Sequence, residues 1–304
     1  MFTLLGSRFS VRVHVLGSVR GSVRGSVLGS IVLAAAVLMA APALPQQVTS
    51  GGPRRGYTPA PGATDLKATI FNWFWHMGML RGPQEIEAVA TLEYQATGTL
   101  QVDGQPCKAA TYRVSTNYQV PGQRIQYTCT RPPNGQQYSN IEVVSGQFAW
   151  NEDVPGAEIT PGRGKATPTP EALSERLIRL WAGPQGAPKA AAAAGDKTTV
   201  SWDAGKAVVT FPIPGVAGAM ATATLSAQFQ AERIAVTHGD VTYEFTYGKY
   251  DDWNNPLNKI EAFYAGTLVE RRNGAVMRDL TTVETETGNV YVVMPVQPSV
   301  RNRK

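Results

Sequence analysis

The sequence predicts an all-β protein with accessory helices, built on one curved antiparallel sheet or an open barrel rather than on two packed sheets. Three observations carry this expectation. Ala90 to Val102 alternates apolar and polar residues over its whole length, turn signals recur at short intervals on both sides of it, and helical patterning is confined to a segment before the strands and another in mid-chain.

Residues 1–43 read as an export signal. Arg8, Arg12, Arg20 and Arg24 give a positive n-region, in which Gly-Ser-Val-Arg occurs twice, Ile31 to Met39 is an apolar h-region, and Ala41-Pro42-Ala43 offers a small-x-small cleavage site. The expected location is periplasmic or secreted. Residues 44–63 are too rich in Pro, Gly, Gln, Ser and Thr to bury a core and read as a disordered leader. Residues 64–297 read as a single domain with a helical insert at about 169–195, and 298–304 as a free basic tail.

Asp65 to Leu80 is expected to be helical, with Thr64 or Asp65 as N-cap and Gly82-Pro83 as the stop. Its second half is apolar all round, so it should be covered on more than one side. It is too short to span a bilayer. Phe71, Trp73, Phe74, Trp75, Met77 and Met79 are either ordinary core or the lining of an apolar cavity between helix and sheet.

The strand at Ala90–Val102 turns at Asp103-Gly104 into one that places Tyr112, Val114, Thr116, Tyr118 and Val120 on one side. Pro121-Gly122 leads to Arg124–Thr130, and Pro132-Pro133-Asn134-Gly135 to a strand at Ile141–Trp150. Thr169-Pro170-Glu171 opens a helix with Leu173, Leu177, Leu180 and Trp181 on its apolar face, and Pro188–Ala194 forms a second short helix. Strands resume at Thr199–Trp202, Ala207–Ile213, Ala221–Phe229, Arg233–Thr237 and Val241–Tyr247. A hairpin from Ile260 through Asn273-Gly274 to Glu284 follows, and Asn289–Pro295 closes the sheet.

The net charge of +5 belongs to the ends. Four of the 28 Lys+Arg and none of the 23 Asp+Glu lie in residues 1–43, and Arg54, Arg55, Arg301, Arg303 and Lys304 lie in the leader and tail. The remainder is mildly acidic, which excludes a nucleic-acid module. Cys107 and Cys129 form a natural disulfide pair for an oxidising compartment. Simple hairpin register about Pro121-Gly122, however, sets Cys129 opposite residue 114, too far for a bridge, so two buried thiols remain the alternative.

No familiar catalytic or cofactor motif is present. His76 is expected in a core helix and His238 in a turn, and no catalytic constellation is expected around either. Asp251-Asp252-Trp253-Asn254-Asn255 matches no defined calcium loop and reads as a solvated turn. No metal and no cofactor are expected.

The order of elements, with Tyr94-Gln95-Ala96-Thr97-Gly98-Thr99-Leu100 in the long strand and Tyr247-Gly248-Lys249-Tyr250-Asp251-Asp252 late in the chain, resembles that of bacterial LolA-like proteins, the outer-membrane lipoprotein carriers. The Ala/Pro-rich stretch around Pro184–Gly195 departs from the family pattern. The resemblance implies an unclosed antiparallel barrel with helices on its concave face, and binding of a lipid, an acyl chain or a lipoprotein in the cell envelope without covalent chemistry. Two alternatives stand beside it: an envelope structural or protein-interaction module with a self-filled core, and an unrecognised hydrolase.

Overall fold

The computed structural model describes residues 65–81, 86–87, 89–253 and 263–302. The expected export signal and leader lie outside these residues, as do Asn254 and Asn255.

Helix α1 (Leu66–His76) starts where Asp65 accepts the amide of Ala68. It stops four residues before the expected end, because Gly78 adopts a left-handed φ of 66° and the amide of Met79 returns to the carbonyl of Phe74. A two-residue pair, β1 (Leu80–Arg81) and β2 (Ile86–Glu87), follows.

All other strands among the described residues form one antiparallel sheet of 13. Its first arm comprises β3 (Thr91–Val102), β4 (Gln105–Asn117), β5 (Gly122–Arg131), β6 (Gln136–Ser145), β7 (Phe148–Glu152) and β8 (Ala166–Pro168). The second comprises β9 (Thr199–Asp203), β10 (Lys206–Pro212), β11 (Met220–Leu225), β12 (Ala231–His238), β13 (Val241–Asp252), β14 (Phe263–Arg272) and β15 (Ala275–Thr287). Within each arm consecutive strands are neighbours. The arms meet where β15 pairs with β3, so β8 and β9 are the two free edges and the sheet is not closed. Helices α2 (Leu173–Trp181) and α3 (Gly186–Ala193) occupy the segment that connects those edges.

Several expected boundaries move. Ile141–Trp150 is two strands, because Gly146, at φ 56°, turns the chain back between β6 and β7. Val120 sits in the β4–β5 turn and is 66% exposed. Strand β11 ends at Leu225, where Ser226 caps a tight turn through its side chain. Residues 289–297 form no strand, since β15 already has β3 and β14 on its two sides. They cross the outer face of the first arm instead, where Val292 and Met294, with Val300 just beyond, pack on Ile141, Val143 and Trp150. The expected free tail begins as a docked turn of helix, α4 (Pro298–Arg301), tied by Ser299 to Glu158 at 2.5 Å.

Cys107 and Cys129 are bonded to each other, with their Cα atoms 5.5 Å apart. The simple register placed Cys129 near residue 114. In the structure Asn117 pairs with Gly122 and an irregularity between Ala109 and Thr111 shifts the ladder again, so Cys129 opposes Ala109, two residues from Cys107 on the same face.

Two core clusters share the face that α1, α2 and α3 cover, here the inner face. One lies between the helices and β9–β14 and reaches Leu92 of β3 and Val144 of β6. The other fills β3–β5 and β15 around the disulfide, Tyr112 and Tyr127.

Candidate functional site

The connection from β8 to β9 runs over the inner face as a strap, α2 then α3. Three apolar residues of α2, Leu177, Ile178 and Leu180, are almost fully buried, as are Ala187, Ala190 and Ala191 of α3. Small residues there let α3 approach the sheet closely.

The strap is held to the sheet by polar contacts. Arg176 donates to the carbonyls of Val143 at 2.9 Å and Trp150 at 2.6 Å and to the amide oxygen of Asn151 at 2.6 Å. Arg179 forks onto Glu270 of β14, with Glu142 of β6 at 3.4 Å and Glu175 at 2.6 Å. Arg278 of β15 pairs with the same Glu270 at 2.6 Å. The Tyr247 hydroxyl donates to Ala182, and the Gln185 amide to Phe263.

This cluster sets its own protonation. Burial alone would raise the Glu270 carboxyl, but the guanidinium groups of Arg179 and Arg278 outweigh it and bring the pKa down to about 2. Burial opposes the charge of Arg179 too, and the carboxylates of Glu270, Glu142 and Glu175 override it. Glu270 and Arg179 therefore stay ionised and matched.

Next to the charges the sheet floor is aromatic. The Tyr94 and Tyr264 rings meet in a tilted contact with centroids 4.8 Å apart, and Tyr112 and Phe245 are fully buried. Burial raises the Tyr94 hydroxyl to about 12, so these phenols stay neutral at physiological pH. Between floor and strap lies a cavity of about 20 Å³, lined among others by Leu92, Tyr94, Tyr118, Leu180 and Tyr247. That is room for about one water molecule.

The six residues singled out on α1 divide. Trp73, Phe74, Met77 and Met79 are buried in the cluster between helices and sheet, where Trp73 meets Phe211 edge-on. Phe71 and Trp75 are half-exposed and stack on each other at 6.0 Å. None of the six lines the small cavity. Buried Nε1 of Trp73 and Oδ1 of Asn72 have no hydrogen-bond partner among the described residues.

His76 is half-buried against Phe229, which lowers its pKa through loss of hydration. His238 ends β12 at the turn into β13. Asp251 and Asp252 are exposed at the end of β13, and among the described residues no group of three His, Cys, Asp or Glu is arranged to hold a metal ion.

Sequence reasoning missed Arg176 and Arg179, which look like the solvent face of an amphipathic helix. A signal existed on the sheet side: Glu142, Glu270 and Arg278 occupy inward positions of their alternating strands, and inward charges require partners.

No helix among the described residues is long and apolar enough to cross a membrane. The sequence matches no family model and no curated protein. By shape the chain is similar to the crystal structure of a candidate outer membrane lipoprotein-sorting protein domain from Vibrio parahaemolyticus, at 9% identity over 74% of this chain and 94% of that one, with a TM-score of 0.42. An open antiparallel sheet with α1, α2 and α3 over one face, the architecture that the LolA-like resemblance implies, is the architecture observed.

Proposed function

We propose that the protein is an exported binding protein for an apolar ligand, such as a lipid or acyl chain, taken up between the inner face of the sheet and the α2–α3 strap. The observation that carries this reading is the way the strap is attached. It joins the two free edges of the sheet, packs its apolar residues over an aromatic floor, and is positioned on that floor by hydrogen bonds and ion pairs. Such contacts can be exchanged for water at modest net cost, whereas the tyrosine and phenylalanine floor it covers cannot be left bare without an apolar occupant. Burial of ligand surface at roughly 25 cal/mol/Å² would drive uptake, with no covalent step.

A cavity of about 20 Å³ is far below the few hundred Å³ of small-molecule sites, so uptake requires the strap, with or without α1, to move off the sheet. The same small volume favours a second reading: an envelope interaction module whose inner face is permanently filled by its own side chains.

Purification without detergent, followed by mass spectrometry of an organic extract and titration of the emptied protein with oleate, separates the two. A stoichiometric lipid, or saturable oleate uptake, supports the binding protein. An empty protein that leaves oleate in solution supports the module.

A further inference from the structure

On the outer face, beneath residues 289–293, lies a second cavity of about 280 Å³. Its floor comes from alternate positions of three adjacent strands: Glu93 of β3, Arg113 and Ser115 of β4, and Arg124 and Gln126 of β5. Tyr291, in the turn after β15, stands at the rim.

The charges in this cavity are already matched. Glu93 accepts from Arg113 at 2.9 Å, Ser115 at 2.6 Å and Asn289 at 2.7 Å, and Arg124 forks onto the buried Glu152. Glu286 opposes Glu93 across the β15–β3 ladder and adds negative charge nearby. A free anion would gain little here, since each guanidinium has its counter-charge within hydrogen-bond distance.

What remains unused is hydrogen-bonding capacity of both kinds. The Gln126 amide has no partner among the described residues, Nε and Nη1 of Arg113 and Nη1 of Arg124 are not engaged, and Oε2 of Glu93 accepts one bond where it has room for two. Beside this neutral polar floor the Tyr291 ring is 87% exposed, a flat apolar surface held in water at the mouth.

We propose that this cavity is a saccharide-binding site. Sugar hydroxyls both donate and accept, which suits the paired amide, carboxylate and guanidinium groups, and the C–H face of the ring would lie on Tyr291. The volume falls at the lower end of ligand sites and suits a single sugar ring. The site is on the opposite face from the strap and does not depend on what the inner face binds.

Amide chemical-shift titration of the full chain with glucose, with N-acetylglucosamine and, as the anion control, with inorganic phosphate tests it. At least one sugar at millimolar concentration should shift the Gln126 side-chain amide and the Tyr291 backbone amide. Tyr291→Ala and Gln126→Ala remove no hydrogen bond of the folded side chains, so their spectra should otherwise match the parent, and each should weaken binding by about tenfold. Absence of sugar-dependent shifts, unchanged affinity in both variants, or shifts with phosphate and not with sugars would overturn the proposal.

Discussion

Arg179 and Glu270, 91 residues apart in sequence, meet in a two-pronged contact, Nε and Nη2 of the guanidinium each 3.1 Å from a carboxylate oxygen. Truncating one partner leaves the other buried with its charge poorly compensated, a situation that costs about 3–5 kcal/mol in comparable buried pairs. Arg179→Met should therefore lower the urea unfolding free energy by about 3 kcal/mol, the lower end, because Arg278 still holds Glu270. Arg179→Met with Glu270→Leu should recover part of that loss. Losses that simply add would show the two residues to be energetically independent.

The same carboxylate gives the protein a defined acid sensitivity. The pKa of Glu270 falls from 4.5 to about 2 on folding, the opposing effect of burial included. A carboxyl with a lowered folded pKa contributes stability that is fully present above the unfolded value and is lost as pH falls through the folded one. Stability, measured by unfolding followed by tryptophan fluorescence, should thus fall as pH drops from about 4.5 to about 2, with Glu270 supplying on the order of 3 kcal/mol. Glu270→Gln should be less stable near neutrality and should lose less across that window. An acid slope identical to the parent's would assign the effect to other carboxylates, Glu175 and Glu93 first, since both are also lowered.

Trp73 and Trp75, two positions apart on α1, should respond very differently to truncation. Trp73 is fully buried, so Trp73→Ala should cost about 3–5 kcal/mol by thermal or chemical unfolding. Trp75 is half-exposed and loses chiefly its stacking on Phe71, so Trp75→Ala should cost about 1 kcal/mol. Equal losses would mean that α1 is buried on both sides in solution.

The Trp73 and Trp75 contrast also shows what was legible in the sequence. Apolar composition announced that α1 is buried, but a helix apolar all round has no moment to say which side faces the sheet. Strands bounded by Asp103-Gly104 and Asn273-Gly274 were readable because each turn needs positive φ and carries residues that tolerate it. The β6–β7 turn escaped because its lone Gly146 sits between residues that continue the strand pattern. Asn289–Pro295 was misread as a strand because Val and Tyr suit a strand, while the partner positions were taken by β3 and β14. The cysteine pairing was obscured by the position of the β4–β5 turn and by a ladder irregularity, neither of which alternation reveals. The buried arginines were hidden because their partners lie on distant strands.

Gly98 is the most demanding glycine of the sheet. It lies in β3 opposite Leu280 with φ 146°, and a Cβ there would collide with the carbonyl oxygen of Asp279 and lie 2.9 Å from Cα of Leu280. Gly98→Ala should destabilise the protein by at least about 2 kcal/mol, through strain and a disrupted β3–β15 ladder. Hydrogen exchange would then accelerate at Gly98–Leu100 and Arg278–Leu280 before it does in β10–β12. A variant with unchanged stability would require the two backbones to separate without loss.

The β3–β15 ladder also governs the order in which the sheet can assemble. Every other ladder joins strands that follow one another along the chain, so each arm can form from short-range hairpins, and β3–β8 has all its internal partners before β9 is reached. The seam is different: Gln95 and Glu284, bonded across it, are separated by 189 residues. Loop-closure entropy for a span of that length is recovered only when β15 arrives, which makes this single pairing the late, slow step of an otherwise local topology. Until it forms, β3 and β15 are both open edges, and the chain is most exposed to pairing with a neighbouring copy of itself.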